Sequence, residues 1–92
     1  MQMHNPPHPG GLFLEVILPE LKLSISQLAA HLHLPRQSVS RVINGHASIK
    51  ADLAVRLESA GIGTARVWLA AQADYDLWQA QHRKHPSVHS LR

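Results

Sequence analysis

Apolar residues in this chain recur at three- and four-residue spacing, and proline or glycine interrupts each run after a few turns. That punctuation limits the fold to several short helices, because proline removes a backbone donor and glycine accepts the left-handed backbone that ends a helix. Pro9 suits the first turn of a helix, where its missing N–H is not needed. Leu12, Phe13, Val16, Ile17 and Leu21 follow at helical spacing, and Pro19 is expected to end or bend that helix near Leu18. Ser24 or Ser26 can cap a second helix with Leu28, Ala29 and Leu32 as its inner stripe. Leu34-Pro35 breaks it, and Pro35 is expected to occupy the first position of a third helix running to about Asn44, with Gly45 as its stop. Residues 46–50 read as a loop. A fourth helix over 51–60 turns Leu53, Ala54 and Leu57 inward, and Gly61 and Gly63 punctuate its end. Thr64 caps a fifth helix, about 65–82, carrying Val67, Trp68, Ala71, Tyr75 and Trp78. No β pattern and no internal repeat is visible. The expected class is all-α: a flexible arm over 1–8, a five-helix body over 9–82 and a frayed tail over 83–92.

The 92 residues are enough for one small domain, and an apolar fraction of 45% supports a packed core. The absence of cysteine excludes disulfides and thiolate metal sites. No apolar run is long enough for a membrane span and no signal peptide is visible, so the expected location is the cytoplasm. The net charge of +3 is modest, but its distribution is uneven. Between Leu21 and Ala51 there is no acid, while Lys22, Arg36, Arg41 and Lys50 lie there with His31, His33 and His46. Such a one-sided stretch suits either a polyanion partner or a merely solvated basic face.

Residues 25–44 meet most demands of a helix-turn-helix, two short helices crossing steeply over a tight turn. Ala29 is the small residue that the crossing requires, and Leu28, Leu32, Leu34, Val39 and Val42 supply the interior. The turn position that favours glycine holds His33, at an expected strain of about 1 kcal/mol. On the third helix, Arg36, Gln37, Ser40, Arg41 and Asn44 share the face opposite Val39 and Val42. Arginine can bond guanine O6 and N7 with two donors, glutamine can pair with adenine N6 and N7, and serine and asparagine suit phosphates or base edges. The face therefore has the chemistry of a major-groove reader.

The His-Pro-Gly opening, RQSVSRVING, DLAVRL and the VWLAAQADYDLW ending together give residues 8–78 a resemblance to the HigA/VapI antitoxins, a branch of the λ-repressor-like (Xre) DNA-binding domains. The resemblance implies a homodimer on an inverted-repeat operator. It also implies a protein partner, a RelE-like HigB toxin that cleaves mRNA and that the antitoxin neutralises while repressing its own operon. Carried across by position, base contacts fall on Arg36, Gln37, Ser38 and Arg41, and backbone contacts near Ser26, Gln27, Ser40, Asn44 and Lys50. The chain departs from the family pattern at His33 (usually glycine), Pro35 (usually a capping serine or threonine) and Gly11 (often glutamate).

The fifth helix, with Trp68, Tyr75 and Trp78, is the candidate dimer surface; Trp68 is expected in the core, and Trp78 suits either core or interface. Among the eight histidines, His82, His85 and His89 have spacing that zinc could use, and His4 and His8 lie on the arm. Pro86 interrupts that helix, and no carboxylate or cysteine completes a shell, so no metal or other cofactor is expected. No serine has a His-Asp relay and no glycine-rich phosphate loop exists, so no enzyme is expected. Two other readings stay open: a stand-alone Xre-type regulator without a toxin, and a protein-interaction domain that has lost DNA binding.

Overall fold

The computed structural model describes residues 5–92, so the expectations for residues 1–4, His4 among them, lie outside the described residues. The described residues are all-helical, as the periodicity implies, with five helices among them. Helix α1 covers 11–21, α2 Ile25–His31, α3 Arg36–Ile43, α4 Ala51–Ser59 and α5 Ala65–Gln81.

Pro19 is expected to end or bend the first helix near Leu18; the helix does not end there but continues through Leu18–Leu21, preceded by a π-helical stretch at Phe13–Ile17. There the Leu18 N–H reaches back five residues to the Phe13 carbonyl. The wider turn gives the pyrrolidine ring room that a regular α-turn denies it. It also resets the inward face: Phe13 and Leu18, five apart, are buried, while Leu12, Val16 and Leu21 of the expected stripe are exposed.

Helix α2 opens with a reciprocal cap. Ser24 Oγ accepts from the Gln27 N–H at 3.1 Å, and Gln27 Oε1 accepts from the Ser24 N–H at 2.8 Å. Pro35, expected at the first position of α3, instead precedes it at the cap with φ −60° and ψ 140°, and helical backbone starts at Arg36. A proline has no side-chain acceptor, so α3 begins without a side-chain cap bond. Thr64 caps α5 as expected, its Oγ1 accepting from the Val67 N–H at 3.2 Å.

Helices α1 to α4 end with the same pair of hydrogen bonds around a residue at positive φ. At α3 these run from His46 N–H to the Arg41 carbonyl and from Gly45 N–H to the Val42 carbonyl; at α4, Gly61 holds the same place. The other two left-handed positions are filled by Lys22 and His33, both at φ 56°. His33 thus takes the conformation that its turn position requires, at a cost that glycine would avoid.

Twelve apolar residues form the core among the described residues, including Leu28 and Ala29 of α2, Leu32 at its C-terminal cap, Val39, Val42 and Ile43 of α3, and Ala54 and Leu57 of α4. Trp68 closes it from α5, stacked on Phe13 with ring centroids 5.1 Å apart, its Nε1 donating to the Ile62 carbonyl at 2.7 Å. Burying a side chain of the size of Leu57 contributes about 1.5–3 kcal/mol, so these residues set the angle between α2 and α3. Along α5 only Trp68 and Gln72 are buried; Tyr75 and Trp78 are half-buried and Val67 is exposed.

The His-Pro-Gly segment belongs to this body. His8 Nδ1 accepts from the Gly10 N–H at 2.9 Å, and its ring meets Tyr75 edge-on at 4.9 Å. Gly10 lies so close to α3 that a Cβ there would stand 1.9 Å from the Val42 carbonyl oxygen. Residues 83–92 are exposed and follow the end of α5.

Candidate nucleic-acid interface

The nine candidate contact residues lie on α2, α3 and the residue before α4. Arg36, Gln37, Ser38 and Arg41 are exposed on α3, Asn44 is exposed at its C-terminal cap, and Ser40 is half-buried; Val39, Val42 and Ile43 take the opposite, buried side. Ser26 and Gln27 are exposed on the first turns of α2, and Lys50 is exposed just ahead of α4. No acidic residue stands on α2 or α3, so nothing on these helices offsets the guanidinium charges or repels phosphate.

The face divides into a free end and a braced end. Arg36, Gln37 and Ser38 have no side-chain hydrogen-bond partner among the described residues, and the helix that carries them begins without a side-chain cap. Their donors, with the first backbone N–H groups of α3, are available to an outside acceptor. At the other end Arg41 Nη2 donates to the His46 carbonyl at 3.2 Å, and Asn44 Nδ2 donates to the Ser40 carbonyl at 2.9 Å and to Ser40 Oγ at 3.2 Å. Arg41 keeps further N–H donors, so its brace fixes direction without consuming the group. Gln27 commits Oε1 to the cap and retains its amide donors.

Two supports went unseen in the sequence. Arg56 of α4 donates through Nη1 to the Leu32 carbonyl at 2.7 Å and the His33 carbonyl at 3.1 Å, so it binds the carbonyls of the turn between α2 and α3. Asp52 holds its Nε at 2.9 Å. On α5, the buried Gln72 accepts from the Ile49 N–H at 2.9 Å and donates to Asp76 Oδ1 at 2.9 Å, fixing the loop that carries Lys50. In the sequence Arg56 reads as an ordinary outer residue and Gln72 as a break in an apolar stripe. An i, i+4 pairing of Asp52 with Arg56 was legible; the carbonyls across the fold were not.

Other candidate chemistry does not assemble. Among the described residues no group of three His, Cys, Asp or Glu side chains could hold a metal ion. His82 Nδ1 instead meets the Trp78 carbonyl at 2.8 Å, its ring stacked on the indole, and His85 meets the Ala80 carbonyl. No helix among them is long and apolar enough to cross a membrane.

The helix-turn-helix family matches residues 15–61 of this chain. Virulence-associated protein A of Dichelobacter nodosus is 40% identical over 77 residues, covering 83% of this chain and 76% of that protein. An addiction module antidote protein of the HigA family from Coxiella burnetii superposes with a TM-score of 0.77 at 39% identity, covering 84% of each chain. The Pseudomonas aeruginosa protein PA4674, solved in complex with its operator DNA, superposes with a TM-score of 0.77 at 31% identity, covering 82% of each chain.

Proposed function

Since this chain belongs to the helix-turn-helix family, we propose that it is the DNA-binding antitoxin of a type II toxin-antitoxin module, which represses its own operon and neutralises a RelE-like HigB toxin that cleaves mRNA. One observation carries the DNA half of this reading: the exposed, acid-free face of α3, whose Arg36, Gln37 and Ser38 have unused donors at the helix's N-terminal end. In a helix-turn-helix that end contacts base edges. Arg36, Gln37, Ser38 and Arg41 read bases, while Ser26, Gln27, Ser40, Asn44 and Lys50 hold the phosphate backbone.

The chain acts as a homodimer on an inverted repeat, its two recognition helices about 34–36 Å apart, one duplex turn. The second half of α5 suits the contact: Leu77 is 55% exposed, and the buried Nε1 of Trp78 has no hydrogen-bond partner among the described residues. The antitoxin half of the reading is supported by the HigA-family antidote protein at 39% identity over most of both chains.

A mobility-shift titration against the DNA upstream of the gene tests this. Arg36→Ala is expected to weaken specific binding by about 1–3 kcal/mol and to relax sequence preference at one position per half-site. Lys50→Ala is expected to weaken binding to all sequences and to reduce the salt slope by about one. Equal affinity of wild type and Arg36→Ala for the upstream DNA rules out the assigned face.

A further inference from the structure

Between α1 and the first half of α5 runs a groove of about 640 Å³, walled by Leu12, Ile17, Leu21, Ile62, Val67 and Trp68. Three of these walls face solvent: Leu12 is 46% exposed, Leu21 49% and Val67 63%. Glu15, Glu20 and Asp74 also line the groove, and no lysine or arginine does.

The chain has six acidic residues, and they divide cleanly. Asp52 holds Arg56, Glu58 Oε1 accepts from the Ala65 N–H at 2.7 Å, and Asp76 accepts from Gln72. Each of those three therefore has structural work within the fold. Glu15, Glu20 and Asp74 have no hydrogen-bond or ion-pair partner among the described residues, and they are the three at the groove. Glu15 and Ile17 lie in the π-helical stretch, a local irregularity often kept where a helix has a task besides packing.

We propose that this groove docks a basic protein partner, one that inserts apolar side chains between α1 and α5 and sets Lys or Arg against Glu15, Glu20 and Asp74. The complementarity of charge selects that occupant. Nucleic acid is repelled by the carboxylates. A second copy docked groove to groove about a twofold axis would place like charges against like. No groove residue belongs to the proposed DNA-reading face, so the two surfaces share no side chain. Identifying this partner with the toxin rests on the function proposed above.

The test co-expresses the full chain with the product of the reading frame adjacent to its gene, then titrates the purified pair by calorimetry. The wild type is expected to bind. The combined change Glu15→Gln, Glu20→Gln and Asp74→Asn, made at exposed positions, is expected to weaken that binding by roughly a hundredfold while leaving binding to upstream DNA unchanged. Val67→Arg, which sets a cation among the apolar walls, is expected to weaken it as well. Arg36→Ala is expected to do the reverse, losing DNA and keeping the protein partner. If the triple variant and Val67→Arg bind the partner as tightly as wild type does, the groove assignment is wrong and the antitoxin reading stands. If the wild type binds no adjacent gene product, the antitoxin reading falls and this occupant falls with it. If the variants instead change the sedimenting mass of the protein alone and leave partner binding intact, the groove holds a second copy, which also overturns the proposal.

Discussion

Replacing Arg56 with alanine removes a support that reaches the turn between α2 and α3 from outside the helix-turn-helix. Its guanidinium makes two kinds of contact. The pair with Asp52 is an i, i+4 surface pair whose side chains are 37% and 73% exposed, worth about 0.3–0.5 kcal/mol. The contacts of Nη1 with the Leu32 and His33 carbonyls are charge-assisted and sit at the C-terminal end of α2, where a cation also meets the negative end of the helix dipole. Hydrogen bonds to a charged group contribute about 1.5–3 kcal/mol when sheltered, and partial exposure reduces that to about 1–2 kcal/mol here. The effect falls on a turn already strained by the left-handed His33. For a domain of this size each kcal/mol moves Tm by about 4–8 °C, so Arg56→Ala is expected to lower Tm by roughly 5–20 °C. Asp52→Asn keeps the carbonyl contacts and is expected to cost no more than about 0.5 kcal/mol. Thermal and urea unfolding at matched protein concentration measure both. A Tm for Arg56→Ala within about 2 °C of wild type, or an equal loss from both variants, would show that the turn does not depend on this contact.

Gly10→Ala tests the approach of the first segment to α3: a Cβ placed 1.9 Å from the Val42 carbonyl oxygen must force the two apart. The expected loss is about 3 kcal/mol or more, seen as a lower urea midpoint, whereas Gly11→Ala, with nothing within 4 Å of its Cβ, is expected to be tolerated. Gln72→Leu keeps the side-chain volume but deprives the Ile49 N–H, in a residue only 2% exposed, of its acceptor. A loss of about 1–3 kcal/mol and faster amide exchange at Ile49 are expected; unchanged exchange would mean that the loop over 46–50 is held by packing alone.

What the sequence by itself determined is local. Thr64 as a cap, Ser24 as one of two candidate caps, Gly45 and Gly61 as stops, and the buried side of α3 all follow from spacing and from groups within a few residues of one another. The candidate DNA face was legible for the same reason: on a helix, the burial of Val39 and Val42 leaves Arg36, Gln37 and Arg41 outside. Even the strained His33 could be foreseen, because a turn position prescribes its own φ. The tertiary structure decided everything that joins residues distant in the chain. Arg56 with the carbonyls of residues 32 and 33, Gln72 with Ile49, and Gly10 with Val42 depend on how the helices cross, and no periodicity records the partner of a side chain across a fold. Pro19 shows the same limit at shorter range. Proline's local preference is to end a helix, yet α1 absorbs it in a π-turn while Phe13 and Leu18 are both buried. Core packing outweighed the local rule there, and Glu15 and Ile17 of that stretch line the groove whose acids have no partner among the described residues.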